Sequence, residues 1–481
     1  MTPPPPKVTI DTGAPIRQEL NVIKISLSSP GAGGSGQLGA STPTEDPRVL
    51  FDISVRGEAV ASLEATSDEV GLPLTLAQAR ESQRDESRFR LPSHILAAID
   101  SVAPRDGWPL WLSFPRYCGY LPLLPWEPML QHRLNVPMLR LSYSDVQPIR
   151  STKALDVMSC FAFPSVENSN DPGPEHTVRY FLEGIPRYLA SYTTFHLFAS
   201  AALYPLLLDV RDRNPHLHII VYDPEEARRY GAAENTPDLT SVSPEPLESP
   251  WLMWIRDTLG RTSIDLVHFV THGHLGKEEG GLAPSHSPVV ENEGSAVRWI
   301  SARQICTFLD QIGAWSVAFS SPLGNSSISG LRMLQDQMAR MRPGPVIFHD
   351  AARDPQRAAW DAAFKFAYAI EEAQVPVTDA ISMCCHPAWA LPGTEADIAT
   401  QQLINDLTVG GRMPDLFHGR ENTPSWLASG QRSLERSVSQ LLETVSTPEQ
   451  LKSSGVAEAL RFTAKLLERH ASKLADEAKK K

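Results

Sequence analysis

LVHFVTHGHL, residues 266–275, is a run of apolar residues broken only by His268 before it reaches Thr271, His272 and Gly273. A short continuous apolar run is the pattern of a strand buried on both faces, as in a parallel sheet. The carboxyl end of such a strand is where an α/β sheet presents its functional groups. A second run of the same kind, Val317, Ala318 and Phe319, ends in Ser320, Ser321 and Pro322. If the two strands are neighbours, His272 and this Ser-Ser-Pro turn emerge at the same edge, and no cysteine stands in either.

The segments around these runs alternate between strand and helix patterns. Residues 154–163 (ALDVMSCFAF) read as a strand, 179–208 as helical, 217–222 as a strand, 251–259 as a helix and 301–312 as another. Beyond the run at Val317 come a helix at 329–341, a strand at 345–348 and a helix at 355–372. Alternation of this kind calls for a mostly parallel sheet sandwiched by helices. The stretch 195–208 is the most apolar of the chain but falls short of the roughly 20 residues of a membrane span; it is expected to be a buried or amphipathic helix ending near Pro205.

Ahead of this region the pattern differs. Residues 1–45 carry a PPPP run and a Gly/Ser-rich stretch, a composition too poor in apolar surface to offset its ordering entropy. Short alternating runs between Lys7 and Leu27 predict an edge strand there. Residues 46–150 form an α+β section: a strand at 48–55, a polar helix at 74–88, a short amphipathic helix at 94–102, then proline-separated apolar runs at 110–114, 121–130 and 138–143 that read as β-rich. Residues 421–481 predict a helical tail: from Leu434 to the end the apolar residues recur at helical spacing, with the stripe Leu434, Val438, Leu441, Leu442 and Val445 and a second formed by Val456, Leu460, Ala464 and Leu467.

Composition narrows the function. Across 481 residues, 44 Lys and Arg against 56 Asp and Glu give a net charge of −12. That is unsuited to sequence-independent nucleic-acid binding, so a protein or peptide partner is expected, and no membrane. Five cysteines without a CxxC pair predict reduced thiols and a cytoplasmic location. Met1 is followed by a run of prolines rather than by a basic stretch and an apolar segment, so no secretory signal is expected.

Leu124, Pro125, Trp126 and Glu127 spell LPWE, and with the THG of Thr271, His272 and Gly273 they resemble the CHAT group of caspase-like, separase-related proteins. The resemblance runs from about Trp108 to Gly419. It includes the helix DPQRAAWDAAFKFAYAI with Asp354, Trp360 and Phe364 at the family's spacing, and a closing PDLFHG at Pro414 to Gly419. It implies a caspase-like sheet in residues 151–420. It also implies a general-base histidine at His272, with Gly273 N–H contributing to oxyanion binding, and a nucleophile on the later strand. There the chain departs from the pattern. The family's cysteine falls on Pro322, or on Ser321 after a one-residue slip. Proline supplies neither nucleophile nor N–H; a serine hydroxyl needs a base oriented by a third group. The resemblance therefore implies a degenerate protease centre working through protein binding or regulation, in a bacterial conflict or defence system. The alternative is an active peptidase using His272 with Ser321 or another nucleophile.

Other candidates read more plainly. Cys306 falls on the apolar face of a helix. Cys384, Cys385 and His386 lack a second ligand pair at zinc spacing, so neither metal nor cofactor is expected. His216 and His218 share a strand side and read as a solvated pair, His268 as packed, and His274 as able to hydrogen-bond at the site mouth. Asp350 and Asp354, after the strand ending at His349, are candidates for a pocket selecting a basic side chain. The plainer reading of Asp350 is a helix N-cap. Trp126 and Glu127 are expected to lock the front section onto the sheet.

Overall fold

The architecture is that of a computed structural model, which describes residues 20–28, 47–142 and 155–385 apart from 56–57, 83–87, 103–108, 116–117, 163–172, 183–192, 232–246, 261, 263, 277–278, 290–296, 325–327, 343–344 and 369–373. The strands are β1 (Asn21–Ser28), β2 (Arg48–Val55), β3 (Glu58–Thr66), β4 (Leu110–Ser113), β5 (Met138–Leu141), β6 (Leu155–Phe161), β7 (Thr193–Ala199) and β8 (His218–Val221). They continue as β9 (Leu266–Val270), β10 (His272–Leu275), β11 (Gly280–Ala283), β12 (Ile300–Ser301), β13 (Ser316–Ser320), β14 (Val346–His349) and β15 (Ile381–Cys385). The class is α/β, with mostly parallel pairing between long strands and helices on their faces. The chain divides into two units, one of Met1–Gln147, Gly273–Gly281 and Ser326–Ala390, the other of Pro148–His272, Leu282–Asn325 and Leu391–Lys481.

In the second unit five parallel strands lie in the order β13-β9-β6-β7-β8. All residues of β9 and β13 are buried, and all but Asp156 and Thr194 in β6 and β7. One sheet face carries Phe161 and His268, which meet Phe181 of the helix Gly173–Leu182 at ring separations of 6.4 and 5.1 Å. The other carries Phe198 and Phe269. These meet Trp254 of the helix Pro250–Leu259 at 5.0 Å and Phe308 of the helix Ala302–Gln311 at 6.2 Å.

This double burial overturns the helix expected across 195–208. Thr193–Ala199 is strand β7, and the helix begins only at Tyr204. With both faces covered, a strand loses the apolar–polar alternation that marks it in sequence, and an apolar run of this length fits either element.

In the first unit seven strands lie in the order β3-β2-β1-β4-β5-β15-β14, antiparallel at the two ends and parallel from β1 to β15. The strand expected near Lys7 to Leu27 is present as β1, yet it is no edge: it lies between β2 and β4. Residues 121–130, expected to be β-rich, form a 3-10 turn at Leu121–Leu123 and the start of the helix Trp126–Leu134. Pro125 occupies the N-cap of that helix, where its missing N–H costs nothing.

Trp126 fills the centre of this unit. It is fully buried, donates Nε1–H to the Leu121 carbonyl at 2.8 Å, and lies edge-on to Phe51 at 6.1 Å and tilted against Phe114 at 5.9 Å. Glu127 accepts two hydrogen bonds from Arg140 of β5, at 2.7 and 2.9 Å, and both side chains are buried. The Arg140 guanidinium also donates to the Pro122 carbonyl and stands 5.2 Å from the Phe114 ring. Burial alone would push the Glu127 carboxyl up. The Arg140 charge and its hydrogen bonds outweigh it and hold the group below the ordinary value. The PDLFHG segment and the expected helical tail lie outside the described residues.

Because a buried pair stripped of one partner leaves an uncompensated charge, Glu127→Gln or Arg140→Met is expected to cost about 3–5 kcal/mol, and the pair of apolar replacements together much less. Urea denaturation of the three variants measures this. As the folded carboxyl is depressed, the contribution of Glu127 is complete above its unfolded pKa and lost as pH falls through the folded value.

Candidate functional site

Chain order places β7 and β8 on one side of β6, and β9 and β13 on the other. The carboxyl ends of β6 and β9 thus flank a topological switch point, the usual position of a ligand crevice in a parallel sheet. Its floor is hydrogen-bonded together: Ala162 N donates to the Val270 carbonyl at 3.1 Å, and Thr271 Oγ1 donates to the Ala162 carbonyl at 2.8 Å. Beside it, Ser320 is the register partner of Val270, and Thr271 N donates to the Ser320 carbonyl at 3.2 Å. His272 and the Ser321–Pro322 turn therefore leave neighbouring parallel strands at the same end. His272 is partly exposed, whereas Ser320 and Ser321 are 0% exposed and Pro322 is buried. The turn is held further by Leu323, whose N–H donates to Thr177 Oγ1 at 3.2 Å.

A serine–histidine contact does exist in this region, one turn of the pleat below the expected one. Ser320 Oγ lies 2.8 Å from His268 Nε2, on the face covered by Phe181. The parallel register pairs Ala318 with His268, so Ser320 reaches the imidazole diagonally on the same face. Sequence reasoning treated His268 as packed and Ser321 as the alternative nucleophile. The signal that would have found the pair is the register itself, which a period-two reading of both strands supplies only once their alignment is known. With both side chains enclosed, the contact satisfies a buried imidazole and offers no open nucleophile.

The remaining candidates are placed as follows. Gly273, His274 and Leu275 belong to the first unit, where Arg80 donates to the Leu275 carbonyl at 3.0 and 3.2 Å. There Gly330 backs onto the His274 backbone so closely that a Cβ would sit 2.5 Å from its nitrogen, and Gly280 approaches the Gly330 carbonyl in the same way, at 2.2 Å. His274 is exposed, and the partial desolvation of its ring, with Arg80 nearby, lowers its pKa.

Asp350 and Asp354 are both buried. Asp350 caps the 3-10 turn Ala351–Arg353 by accepting from Ala352 N at 3.2 Å and pairs with Arg353. Asp354 accepts from Ala359 N and Trp360 N and lies 3.3 Å from His349 Nε2. Each carboxylate is thus engaged in its own turn. Leu124 and Trp126 are core, and Glu127 is the ion-pair partner of Arg140. His216 and His218 are exposed beside buried Leu217 and Ile219. His386 lies outside the described residues, and among the described residues no cluster of three or more His, Cys, Asp or Glu could hold a metal.

All five cysteines are buried. Burial pushes Cys118 up to about 11, with Asp336 adding to the shift, and raises Cys160 and Cys384 well above the ordinary thiol value. A reactive cysteine needs the opposite environment, electropositive and open. Compared with protein-family models, with curated proteins and with solved structures, the chain matches none.

Two outcomes are expected. Titration of the native protein with a thiol reagent near pH 8 should modify few of the five cysteines, and unfolding should release them all. Ser320→Ala removes a partner from a buried imidazole and is expected to lower stability by about 1–3 kcal/mol in denaturant titration.

Proposed function

We propose that this chain is a caspase-like protein of the CHAT group whose protease centre is degenerate, and that it acts by binding a protein or peptide partner rather than cleaving one. The observation that carries the reading is the register of β9 with β13, in which Val270 faces Ser320. It brings His272 beside Ser321 and Pro322, the place where the resemblance requires a thiol and where this chain has only enclosed residues. The resemblance in LPWE and THG supplies the family. The burial of every cysteine supplies the loss of chemistry.

Each missing part is costly by itself. Without the thiolate there is no attack on a peptide carbonyl. A proline at the nucleophile position also removes an oxyanion donor, a loss of order 10²–10³ in rate for one such group. The serine alternative, His272 with Ser321, is disfavoured because Ser321 is fully enclosed. The acidic balance of the chain is compatible with a basic partner surface, through long-range attraction. A regulatory role in a bacterial conflict or defence system is the setting that the resemblance implies.

The test uses the full-length chain. No cleavage is expected in a peptide-library digest, no labelling at Cys306, Cys384 or Cys385 by a cysteine-directed peptide inhibitor, and none at Ser321 by a fluorophosphonate. His272→Ala should leave association with partners, and any biological output, nearly unchanged. Peptidase activity that disappears on His272→Ala, or fluorophosphonate adduct at Ser321, would overturn the reading.

A further inference from the structure

On the sheet face opposite His268, three side chains that the centre does not use form a continuous hydrogen-bonded line. His196 lies in β7, flanked on that face by Phe198; the β6–β7 register pairs it with Met158 and places Asp156 diagonally beside it. His196 Nε2 is 3.2 Å from Asp156 Oδ1, and His196 Nδ1 is 2.8 Å from the Tyr222 hydroxyl. Tyr222 follows β8, with its N–H bonded to the Leu197 carbonyl, and its ring stacks on Phe198 at 4.5 Å. The imidazole is buried, Tyr222 is partly exposed, and the Asp156 side chain is 37% exposed.

The chemistry of the line fixes its direction. An ionised carboxylate only accepts, so in the tautomer that suits this arrangement the ring proton of His196 sits on Nε2, facing Asp156. Nδ1 is then a lone pair, and the Tyr222 O–H donates to it. Carboxylate, imidazole and hydroxyl stand in the same order as in an Asp–His–Ser relay, with a phenol in place of the alcohol. Burial, with Asp156 adding to it, raises the Tyr222 pKa, so this phenol stays protonated and depends on a base for nucleophilic attack. Tyr230 is the internal contrast: its hydroxyl bonds directly to the Asp257 carboxylate, with no imidazole between, and burial together with that bond pushes its pKa up to about 12.

We propose that Asp156, His196 and Tyr222 form a base-activated tyrosine, a covalent modification site for neutral acyl donors. In the step, Tyr222 Oη attacks the donor carbonyl, forming the aryl ester C–O bond. The phenolic proton passes to His196 Nδ1, and the imidazolium is held by Asp156. The bond to the leaving group then breaks, and the leaving group takes the proton from His196. A neutral donor is specified because Asp156 and the neighbouring Asp223 would repel an anionic phosphoryl group, and Asp223 is itself engaged, capping Glu225 N at 2.9 Å. His196 is the catalytic base, and Asp156 is a positioning residue.

The experiment treats the full-length protein with N-acetylimidazole and follows O-acetylation of each tyrosine by mass spectrometry, with hydroxylamine reversal identifying phenolic esters. Tyr222 is expected to react at least about ten-fold faster than Tyr230, and His196→Gln to slow it about ten-fold or more, at the low end for a lost general base. Asp156→Asn, at a partly exposed side chain, keeps the fold and turns the carboxylate into a possible donor. The His196 proton should then move to Nδ1, visible in the nitrogen-15 shifts of the ring, and Tyr222 acetylation should fall in parallel. Tyr222 acetylated no faster than Tyr230, or at an unchanged rate in Asp156→Asn with the tautomer reversed, would overturn the proposal.

Discussion

The Arg140–Glu127 pair is the constraint on which the first unit is organised. A guanidinium at 1% exposure is tolerable only because its donors are met by Glu127 and the Pro122 carbonyl and its face by the Phe114 ring. Phe114 follows β4, Pro122 lies in the Leu121–Leu123 turn and Glu127 in the helix after it, so one charge on β5 ties three other pieces of chain. Hydrogen bonds have angular demands that apolar contacts lack, and so the pair specifies how the helix sits on the strands. Trp126 adds the volume beside it. The LPWE run thus has a physical meaning in this chain: leucine and tryptophan for the core, proline for the helix start, glutamate for the buried cation.

A second buried polar system works alongside it. Gln335, on the helix Ile328–Met341, donates to the carbonyls of Val346 and Ser382 and accepts from Ser382 Oγ. Its amide serves both β14 and β15 where those strands run antiparallel. The two systems build the frame, and in the second unit the chemistry-bearing residues are instead placed by strand register.

Much of that frame was legible in sequence because strand and helix patterns alternate cleanly from residue 251 to 349. The strands at 266–270 and 316–320 and the helices around them stand where the apolar periodicity places them. What failed has a common cause. Thr193–Ala199 carries no alternation because both of its faces are covered, and β1 gives no sign in sequence of having neighbours on both sides. At the site, the positions of His272, Ser321 and Pro322 were legible from the runs that deliver them. The His268–Ser320 contact and the Asp156–His196–Tyr222 line were not, since each joins residues through a register that periodicity within one strand leaves undetermined.

The division of the chain bears on how it is made. Neither unit is one continuous stretch: the second needs β13, which is synthesised after the Gly273–Gly281 piece of the first, and the first is completed only by Ser326–Ala390. During translation, β6, β7, β8 and β9 emerge with one side of β9 still unpaired, while β1 to β5 wait for β14 and β15 from much later in the chain. Partners so distant in sequence slow folding and leave strand edges exposed in the interval. Until β13 to β15 have emerged, neither unit can complete its sheet, and the free edges of β5 and β9 are open to mispairing for that whole interval.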